Sequence, residues 1–595
     1  MWILDRMPYA NARSNISLMS QSSCRRFLKT SIPWQERVCP AAANIPLRRF
    51  SVHCNLPATM PSTSPPIING TNTTLQNTKI KRKDECEQEK SIKRRDYLVE
   101  QIARKLQMIT TESSEELKRI DEIQRLGIGY HFEDVIDSIL RVQCSAFSTE
   151  EDLFTTALRF RLLRHAGFHV SPEVFMRFKE KSGKFKESDT LGLLSLYEAS
   201  NMRAEGEEIL DEAKEFTESR MKRSLDELAP HLREQVGQAL EVARHMRMGR
   251  LEARRFIEEY SKQSGHDRDL LELATLDYNQ VQAQHKMELA EIIRWWKELG
   301  LVDKLKFGRD RPLECFLWTV GLLPDPKYST CRIELAKTIA LLLVLDDIFD
   351  TYGKMDELIL FTHAIRRRDL EAMKTLPEYM KICYMALYNT TNEIGYRVLK
   401  DTGRTVLPYL KSTWIDMIEG FMVEAKWFGG GISPPNLEEY IENGVSTAGA
   451  YMALVHLFFL IGEGVTDQNA SLLSQKPYPK LFSAAGRILR LWDDLGTAKE
   501  EQERGDLASS IPLFIKEKNL ATEEEVTSHI LEEILRLWKD MNGELISKNK
   551  FMPLSIIKVA LNMARASQVV YKHDHHTYFS NVDNYVEAIF FTPLD

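Results

Sequence analysis

The stretch that decides this fold is Leu341-Leu342-Leu343-Val344-Leu345-Asp346-Asp347-Ile348-Phe349-Asp350. Residues 339 to 345 are all apolar, so the helix that they predict should be buried on all sides. Three carboxylates follow at positions 346, 347 and 350. Because residues three or four apart share a helix face, we expect Asp346 and Asp350 to point the same way, with Asp347 beside them.

Three acids at the end of a buried helix repel one another and lose hydration, unless cations lie among them. Carboxylate oxygens suit Mg²⁺, which keeps several waters and is often shared with a substrate phosphate. The stretch therefore indicates a metal site, and the alternative is an acid-rich helix end in contact with solvent.

A second polar stretch favours the metal interpretation. In Asp493-Asp494-Leu495-Gly496-Thr497-Ala498-Lys499-Glu500-Glu501, three oxygen-bearing residues fall at intervals of four: Asp493, Thr497 and Glu501. They form one stripe along two turns of a helix, with a hydroxyl between two carboxylates. Mixed carboxylate and hydroxyl ligands are typical of Mg²⁺ and not of zinc.

Arginines accompany both acidic stretches. Arg490 lies one turn before Asp493, and Arg309 and Arg311 stand in the string Phe307-Gly308-Arg309-Asp310-Arg311. A guanidinium group can donate two parallel hydrogen bonds to phosphate oxygens. Together, the two acidic helix faces and the arginines predict a site that holds metal ions and a diphosphate.

These motifs resemble those of the plant terpene synthases that start their reaction by metal-dependent ionisation. DDIFD at 346–350 is similar to the aspartate-rich motif of that family, DDLGTAKEE at 493–501 to its second metal motif, and RDR at 309–311 to its arginine pair. The string RWWKELG at 294–300 is also similar, and the resemblance extends from about Tyr97 to the C-terminus.

The periodicity of the chain predicts an all-α fold, since apolar residues recur at three and four and strand-like alternation is almost absent. Leu98, Ile102, Leu106 and Ile109 begin one such helix, and residues 150–163 and 190–199 predict others. The resemblance implies an N-terminal α-barrel at 97–264 and a C-terminal catalytic bundle at 268–595. The barrel is expected to be catalytically silent, because the DxDD string of protonation-initiated relatives does not occur.

The resemblance also implies the roles of the residues at the site. An allylic prenyl diphosphate would bind through three Mg²⁺ ions, with Mn²⁺ as an alternative metal. Asp346 and Asp350 would hold two ions with support from Asp347, and the third would be held by Asp493, Thr497 and Glu501. Diphosphate would contact the arginines and three of the acids: Arg309, Arg311, Arg490, Asp346, Asp350 and Asp493. Four aromatic residues are candidates for the wall of an apolar pocket, because aromatic faces attract a carbocation: Trp318, Phe421, Tyr451 and Tyr571.

Composition excludes several other classes of protein. The formal net charge of −7 argues against nucleic acid as the main partner. No apolar run approaches the roughly 20 residues of a membrane span. The eight cysteines form no CxxC pair, which suggests neither a disulfide framework nor a zinc site. The chain leaves both a monomer and a homodimer open.

The first 83 residues differ from the rest of the chain. They hold twelve Lys or Arg residues against two acids, with many Ser, Thr and Asn. This composition is typical of an organellar transit peptide. Given the family that the chain resembles, we expect import into the plastid stroma and removal of this leader.

Two departures from the family pattern bear on the product. Cyclising monoterpene synthases carry tandem arginines and, nine residues later, a tryptophan, whereas here Arg94-Arg95 is followed at that distance by Arg104. The resemblance therefore favours an acyclic product: linalool from the C10 substrate geranyl diphosphate, or nerolidol from C15 farnesyl diphosphate. The second departure is Ser509, where many relatives have a lysine near the diphosphate.

Other functions remain open at this point. The chain could make a cyclic or olefinic terpene instead of an alcohol. A chain-elongating prenyltransferase would also use Mg²⁺ and diphosphate, but it normally has two complete DDxxD motifs, and Thr497 stands where the second would end. A non-catalytic helical scaffold would not need the oxygen ligands of residues 493–501 in register.

Overall fold

A computed structural model describes residues 71–108, 114–148, 150–429, 436–474, 476–504, 510–572 and 582–595. Most of the predicted transit peptide (1–83), Ser509 and Ile109 lie outside these ranges. Within them the fold is all-α, as predicted, with one isolated β-bridge between Lys179 and Phe185. The α-helices of the N-terminal half are α1 (Thr71–Met108), α2 (Ser114–Arg125), α3 (Glu133–Gln143), α4 (Leu153–His165), α5 (Thr190–Ser200), α6 (Glu208–Ser224), α7 (Pro230–Glu241) and α8 (Gly249–Lys262).

The C-terminal half continues from a long helix. Its α-helices are α9 (Arg268–Leu299), α10 (Leu301–Lys304), α11 (Pro312–Leu322), α12 (Ser329–Asp347), α13 (Met355–Arg367), α14 (Glu378–Thr402), α15 (Leu407–Gly429), α16 (Leu437–Thr447), α17 (Ala450–Ile461), α18 (Asp467–Ser471), α19 (Lys480–Arg504), α20 (Ser510–Lys518), α21 (Glu523–Ile546), α22 (Leu554–Tyr571) and α23 (Val582–Val586). Short π-helical segments follow α12 at Ile348–Tyr352 and α23 at Glu587–Phe591.

The N-terminal half encloses a core of its own. Helices α1, α4 and α5 were predicted from the spacing of their apolar residues, and these residues lie inside this core, including Leu98, Ile102 and Leu163. Asp152 begins helix α4, where its carboxylate accepts a hydrogen bond from Thr155 N at 2.7 Å. Such a cap satisfies one of the backbone donors that the first turn leaves open. The helices predicted at 150–163 and 190–199 are confirmed with ends shifted by at most three residues.

Helix α9 begins at Arg268, just after the domain boundary that the sequence predicts near residue 265. Gly265 has φ of +86° in the connecting turn, and Asp267 caps the new helix by accepting from Asp269 N at 2.9 Å. The first half of α9, including Leu270, packs in the N-terminal core, whereas Ile292 near its end packs against α11 and α12. The two halves thus share one rigid helix.

The C-terminal half buries its helices around α12, as the apolar run at 339–345 predicts. Leu341, Val344 and Leu345 are all buried there. The helix changes character at the acids, since regular α-helix ends at Asp347 and Ile348–Tyr352 continues as a π-helical turn that includes Asp350. Asp350 therefore does not occupy the exact α-helical position that simple i, i+4 spacing predicts.

Among the described residues, no single helix is long and apolar enough to cross a membrane. Helices α16 and α17, which meet at a bend, are together long and apolar enough, judged by length and composition only. Cys144, Cys315, Cys331 and Cys383 are free thiols.

Candidate active site

Two acidic segments approach one another in the C-terminal half. One is the end of α12 with its π-helical turn, and the other is the middle of α19. The negative charge of Asp346 acts on Asp493 across the space between them, which shows that the segments are neighbours. Asp346 and Asp493 are 147 residues apart in sequence, so only the tertiary fold brings them together.

Arg309 contacts both of the first two acids. Its Nη2 donates to Asp346, its Nε lies 2.7 Å from Oδ1 of Asp347, and its backbone N–H donates to Oδ2 of Asp347 at 2.8 Å. Burial raises the pKa of Asp347 to about 6 in spite of this arginine. Arg309 thus faces the first two acids of the DDIFD motif, in a place where it can also reach an anion bound beside them.

Asp350 is exposed to solvent and follows Asp346 and Asp347 by about one turn. The surrounding protein raises the pKa of Asp350 well above its usual value, and the charges of Asp346 and Glu424 act in the same direction. Like charges in such a crowded place favour a bound cation.

Glu424 of α15 is a candidate site residue that the sequence did not reveal. Burial raises its pKa to about 7 against the influence of Arg490, and the charge of Asp346 adds to the rise. Thr447 Oγ1 donates to Glu424 Oε1 at 2.8 Å, and Asn443 Nδ2 donates to the same oxygen at 3.1 Å. A single acid in Val423-Glu424-Ala425 carries no motif, so no local signal distinguishes it from a surface residue.

Asp493 presents its carboxylate from α19. Burial raises its pKa to about 6, and the hydroxyl of Tyr571 donates a hydrogen bond to it. Helices α19 and α22 touch at Gly496, where a Cβ atom would come within 2.8 Å of the Tyr571 carbonyl oxygen. The hydroxyl of Thr497 donates to the Asp493 carbonyl oxygen at 2.9 Å, one turn along the predicted stripe. The side chain of Glu501 lies outside the described part of the chain.

Arg490 lies within a frame of polar groups. Its Nη2 is 2.7 Å from Oδ1 of the fully buried Asp494, and its Nη1 is 3.5 Å from Oδ2 of Asp493. Nη2 also donates to the hydroxyl of Tyr440, which donates to Asp494 at 3.1 Å. The aliphatic part of Arg490 packs on Gly444, where a Cβ atom would lie 2.7 Å from Arg490 Cδ.

The other predicted residues divide into those near the acids and those elsewhere. Tyr571 contacts Asp493 and packs against Trp318 with ring centroids 5.9 Å apart, while Phe421 stacks on Phe349 at 5.6 Å. Tyr451 packs on Tyr478 at 4.4 Å and donates to Glu442, away from the acidic segments. Arg311 is 3.0 Å from Glu314, beside the start of α11.

The tandem arginines of α1 are engaged with the long helix α9. Arg94 makes two hydrogen bonds of 2.7 Å to Glu272, and Arg95 donates to Gln280 at 2.6 Å. Both arginines therefore serve contacts between the first helix and α9.

The donor set fits a hard divalent cation. The groups that face the space are carboxylates and a hydroxyl, and four of the carboxylates have raised pKa values that a cation would lower. Among the described residues, no three or more His, Cys, Asp or Glu side chains lie close enough together to hold a metal ion by themselves. An open donor set suits Mg²⁺, which keeps waters and takes further ligands from a phosphate.

A separate cavity of about 900 Å³ lies between α7 and α8 of the N-terminal half and the end of α22. It is lined by charges of both signs, including Arg247, Glu252 and Arg255. None of the predicted site residues lines it, and Glu252 already pairs with both arginines. This cavity therefore shares no residue with the predicted site.

Comparison with known proteins identifies two family models in the chain. The model described as the N-terminal domain of terpene synthases matches residues 70–240, and that of the terpene synthase metal-binding domain matches 297–540. A chloroplastic geraniol synthase from Ocimum basilicum is 72% identical over 545 residues, which are 91% of this chain and 94% of that protein. A chloroplastic R-linalool synthase from the same plant is 68% identical over 569 residues, covering 96% of this chain and 97% of that one.

Solved structures show the same arrangement of helices. Isoprene synthase from grey poplar, in complex with three Mg²⁺ ions and dimethylallyl-S-thiolodiphosphate, superposes with a TM-score of 0.80 at 38% identity, over 85% of this chain and 97% of that one. Limonene synthase with 2-fluorolinalyl diphosphate gives a TM-score of 0.80 at 37% identity, over 85% and 95% of the two chains.

Proposed function

The chain belongs to the terpene synthase family, and on that premise we propose that it is a magnesium-dependent monoterpene synthase that converts geranyl diphosphate into an acyclic alcohol. The observation that carries the proposal is the meeting of two acidic helix segments with an arginine beside each, Arg309 and Arg490. Such a site binds a diphosphate through cations and guanidinium groups together.

The proposal assigns the metal ligands to both segments. Asp346, Asp350 and Glu424 would face two of three ions, with Asp347 in support. Asp493, Thr497 and Glu501 would hold the third. Bound Mg²⁺, or Mn²⁺ in its place, would neutralise the charge that develops on the diphosphate as its bond to carbon breaks.

The side chains of the protein position the diphosphate, stabilise its charge and exclude water from the apolar part of the site. Arg309 and Arg490 donate hydrogen bonds to the leaving diphosphate, which takes the electron pair of the broken C–O bond. The aromatic rings of Trp318 and Tyr571 border the space beside Asp493. Aromatic faces stabilise the allylic cation without reacting with it. A water molecule then adds to the cation and loses a proton, which leaves a neutral alcohol and free diphosphate.

Two alcohols are candidates, since positive charge is shared between C1 and C3 of the allylic cation. Addition of water at C3 gives linalool, which we expect as the principal product because C3 is farther from the departing diphosphate. Addition at C1 gives geraniol, and the 72% identity to a geraniol synthase favours this second candidate. Farnesyl diphosphate would give nerolidol by the same route, if it is accepted.

The experiment is to incubate the full chain with geranyl diphosphate, with and without Mg²⁺, in ¹⁸O-labelled water. Magnesium-dependent release of diphosphate with labelled linalool or geraniol supports the proposal. A mainly cyclic or olefinic product would contradict the alcohol assignment. A longer prenyl diphosphate formed on addition of isopentenyl diphosphate would identify a prenyltransferase, and no reaction with any substrate would support a scaffold.

The geraniol and R-linalool synthases from Ocimum basilicum are chloroplastic, which supports plastid localisation, and we propose the stroma as the compartment. Import assays with isolated chloroplasts test this, since a stromal protein should be recovered shortened in the soluble fraction.

A further inference from the structure

Helix α16 has four residues on the face directed toward the site: Tyr440, Asn443, Gly444 and Thr447. Their spacing of three and four places them along one stripe of the helix. None of them is a proposed metal ligand. Asn443 and Thr447 contact Glu424, which is proposed to bind metal, and Tyr440 and Gly444 contact Arg490, which is proposed to bind diphosphate.

The stripe contacts Glu424 at its C-terminal end. Thr447 and Asn443 both donate to Oε1 of Glu424, at 2.8 and 3.1 Å. Two donors on one oxygen fix the plane of the carboxylate and leave Oε2 for another ligand.

The close approach of α15 and α16 depends on Gly420. A Cβ atom there would lie 2.9 Å from Thr447 Cγ2 and 3.3 Å from Asn443 Oδ1. Gly420 precedes Glu424 by one helical turn. The close approach of α16 to α15 at Gly420 therefore brings Thr447 and Asn443 within hydrogen-bonding distance of the Glu424 carboxylate.

The opposite edge of the stripe contacts Arg490. Gly444 provides a seat for its aliphatic chain, and the hydroxyl of Tyr440 lies between its guanidinium and Asp494. The Tyr440 ring also lies under the guanidinium at 5.0 Å, which favours a cation. The planar guanidinium is thereby held in one orientation.

We propose that α16 is a positioning element that sets Glu424 through Thr447 and Asn443, and Arg490 through Tyr440, in one fixed relation. This inference rests on the proposed function, because it assigns Glu424 to the metal ions and Arg490 to the diphosphate. Because one helix fixes both side chains, the carboxylate of Glu424 and the guanidinium of Arg490 keep a constant distance and orientation relative to each other.

The two ends of the stripe should produce different kinetic effects, which separates positioning from a general structural role. Thr447→Val removes one donor to Glu424 and should raise the Mg²⁺ concentration for half-maximal rate by about tenfold, the usual effect of losing a partner of a metal ligand. Thr447→Ser keeps the hydroxyl and should restore the normal requirement. Tyr440→Phe should lower kcat several-fold and leave the Mg²⁺ requirement unchanged.

Helix α14 provides matched controls in the same half of the chain. Thr391 is buried and donates to the Leu387 carbonyl oxygen of its own helix at 2.7 Å, and buried Tyr384 donates to the Asp369 carbonyl oxygen at 3.0 Å. Thr391→Val and Tyr384→Phe should leave both the Mg²⁺ requirement and kcat close to those of the unaltered protein. Asn443→Ala is a second test of the Glu424 contact should Thr447→Val fail to fold.

The outcomes distinguish the inference from the function on which it rests. If the unaltered protein releases no diphosphate with Mg²⁺, the proposed function fails. If it is active and Thr447→Val, Asn443→Ala and Tyr440→Phe, folded by circular dichroism, behave like the α14 controls, the positioning role of α16 is wrong. The proposal would also be overturned if all three variants and the controls showed the same fall in kcat and the same rise in the Mg²⁺ concentration for half-maximal rate.

Discussion

Arg309 holds Asp347 by two separate groups, its side-chain Nε at 2.7 Å from Oδ1 and its backbone N–H at 2.8 Å from Oδ2. Both oxygens of this acid are therefore engaged by the loop that precedes α11. Asp346 contacts only the Nη2 of the same arginine, and Asp350 lies one turn further, in the π-helical turn and exposed to solvent. The arrangement favours Asp346 and Asp350 as metal ligands, with Asp347 as the anchor of the arginine loop.

Replacement of Asp346 or Asp350 by alanine should remove nearly all turnover. Each change takes one oxygen ligand from the proposed metal pair, and loss of a group that stabilises developing charge commonly lowers kcat about 10² to 10³-fold. The thermal midpoint should stay the same or rise, because the crowded acids repel one another. Product formation by gas chromatography and thermal unfolding check the two parts.

The control for these variants is Asp356→Ala, an exposed acid at the start of α13. It should keep normal turnover, since it has no proposed contact with metal. Near-normal rates for Asp346→Ala and Asp350→Ala in Mg²⁺ would contradict the assignment.

The sequence predicted the all-α fold and the family, because periodicity and short motifs are local properties of the chain. Buried α12 is confirmed from seven consecutive apolar residues at 339–345. The metal roles of Asp346, Asp493 and Thr497 stay predictions, supported by the approach of the two acidic segments.

The sequence could not reveal residues whose role depends on packing between distant helices. Glu424 becomes a site residue only because Thr447 and Asn443 hold it beside Asp346. The π-helical turn at Ile348–Tyr352 likewise leaves no mark in the spacing of the DDIFD motif. Tyr451 packs against Tyr478 because of the direction of α17, and that direction cannot be read from the positions of aromatic residues in the sequence.

Arg490→Lys should impair catalysis more than a change that conserves charge usually does. Lysine has a single ammonium group, which cannot replace the several donors of the guanidinium toward Asp494, Tyr440 and diphosphate. We expect kcat to fall by about 10²-fold, because the leaving diphosphate gains charge only in the transition state. Steady-state kinetics check this, and an unchanged kcat would refute the role of Arg490 at the leaving group.

The matched control for Arg490→Lys is Arg487→Lys, one turn earlier on α19. Arg487 pairs with Glu438 and lies 3.3 Å from Glu442, both on the surface side of α16. Its replacement should change kcat less than twofold.

The stability of the metal-free protein should depend on pH through three enclosed acids. Burial raises the pKa of Asp347 and Asp493 to about 6 and that of Glu424 to about 7. A raised pKa means that the folded protein keeps protons that the unfolded chain releases above about pH 4. The stability contributed by these groups is therefore present below about pH 4 and is lost as the pH rises through 6 and 7.

Mg²⁺ with inorganic pyrophosphate should reverse this loss, because it binds the charged carboxylates. The rise in thermal midpoint on adding both should be larger at pH 7.5 than at pH 5.5, measured by differential scanning fluorimetry. Glu424→Gln removes one titrating group and should reduce the difference between the two pH values, which controls for the titration of pyrophosphate itself. Equal shifts at both pH values in the unaltered protein would contradict the prediction.

The break between α16 and α17 should tolerate no side chain at Gly449. This residue has φ of +75°, and a Cβ atom would lie 2.3 Å from Cδ1 of Leu342 on α12, the helix that carries Asp346. Gly403 is a matched control, with φ of +72° and nothing within 4 Å of an added Cβ atom. Gly403→Ala should cost about 1–2 kcal/mol of unfolding free energy for the left-handed backbone alone. Gly449→Ala should cost that amount and about 1–3 kcal/mol more for overpacking against α12.

Leu342→Val shortens the opposing side chain and isolates the contact. The contact is direct, so the double variant Gly449→Ala/Leu342→Val should be more stable than the sum of the single changes predicts, with a coupling of about 0.5–3 kcal/mol. Because Leu342 precedes Asp346 by one turn, the same cycle measured on product formation should show partial recovery of the activity lost in Gly449→Ala. Additive effects in both measurements would mean that the helix break does not act on α12, and that the cost at Gly449 is that of its backbone.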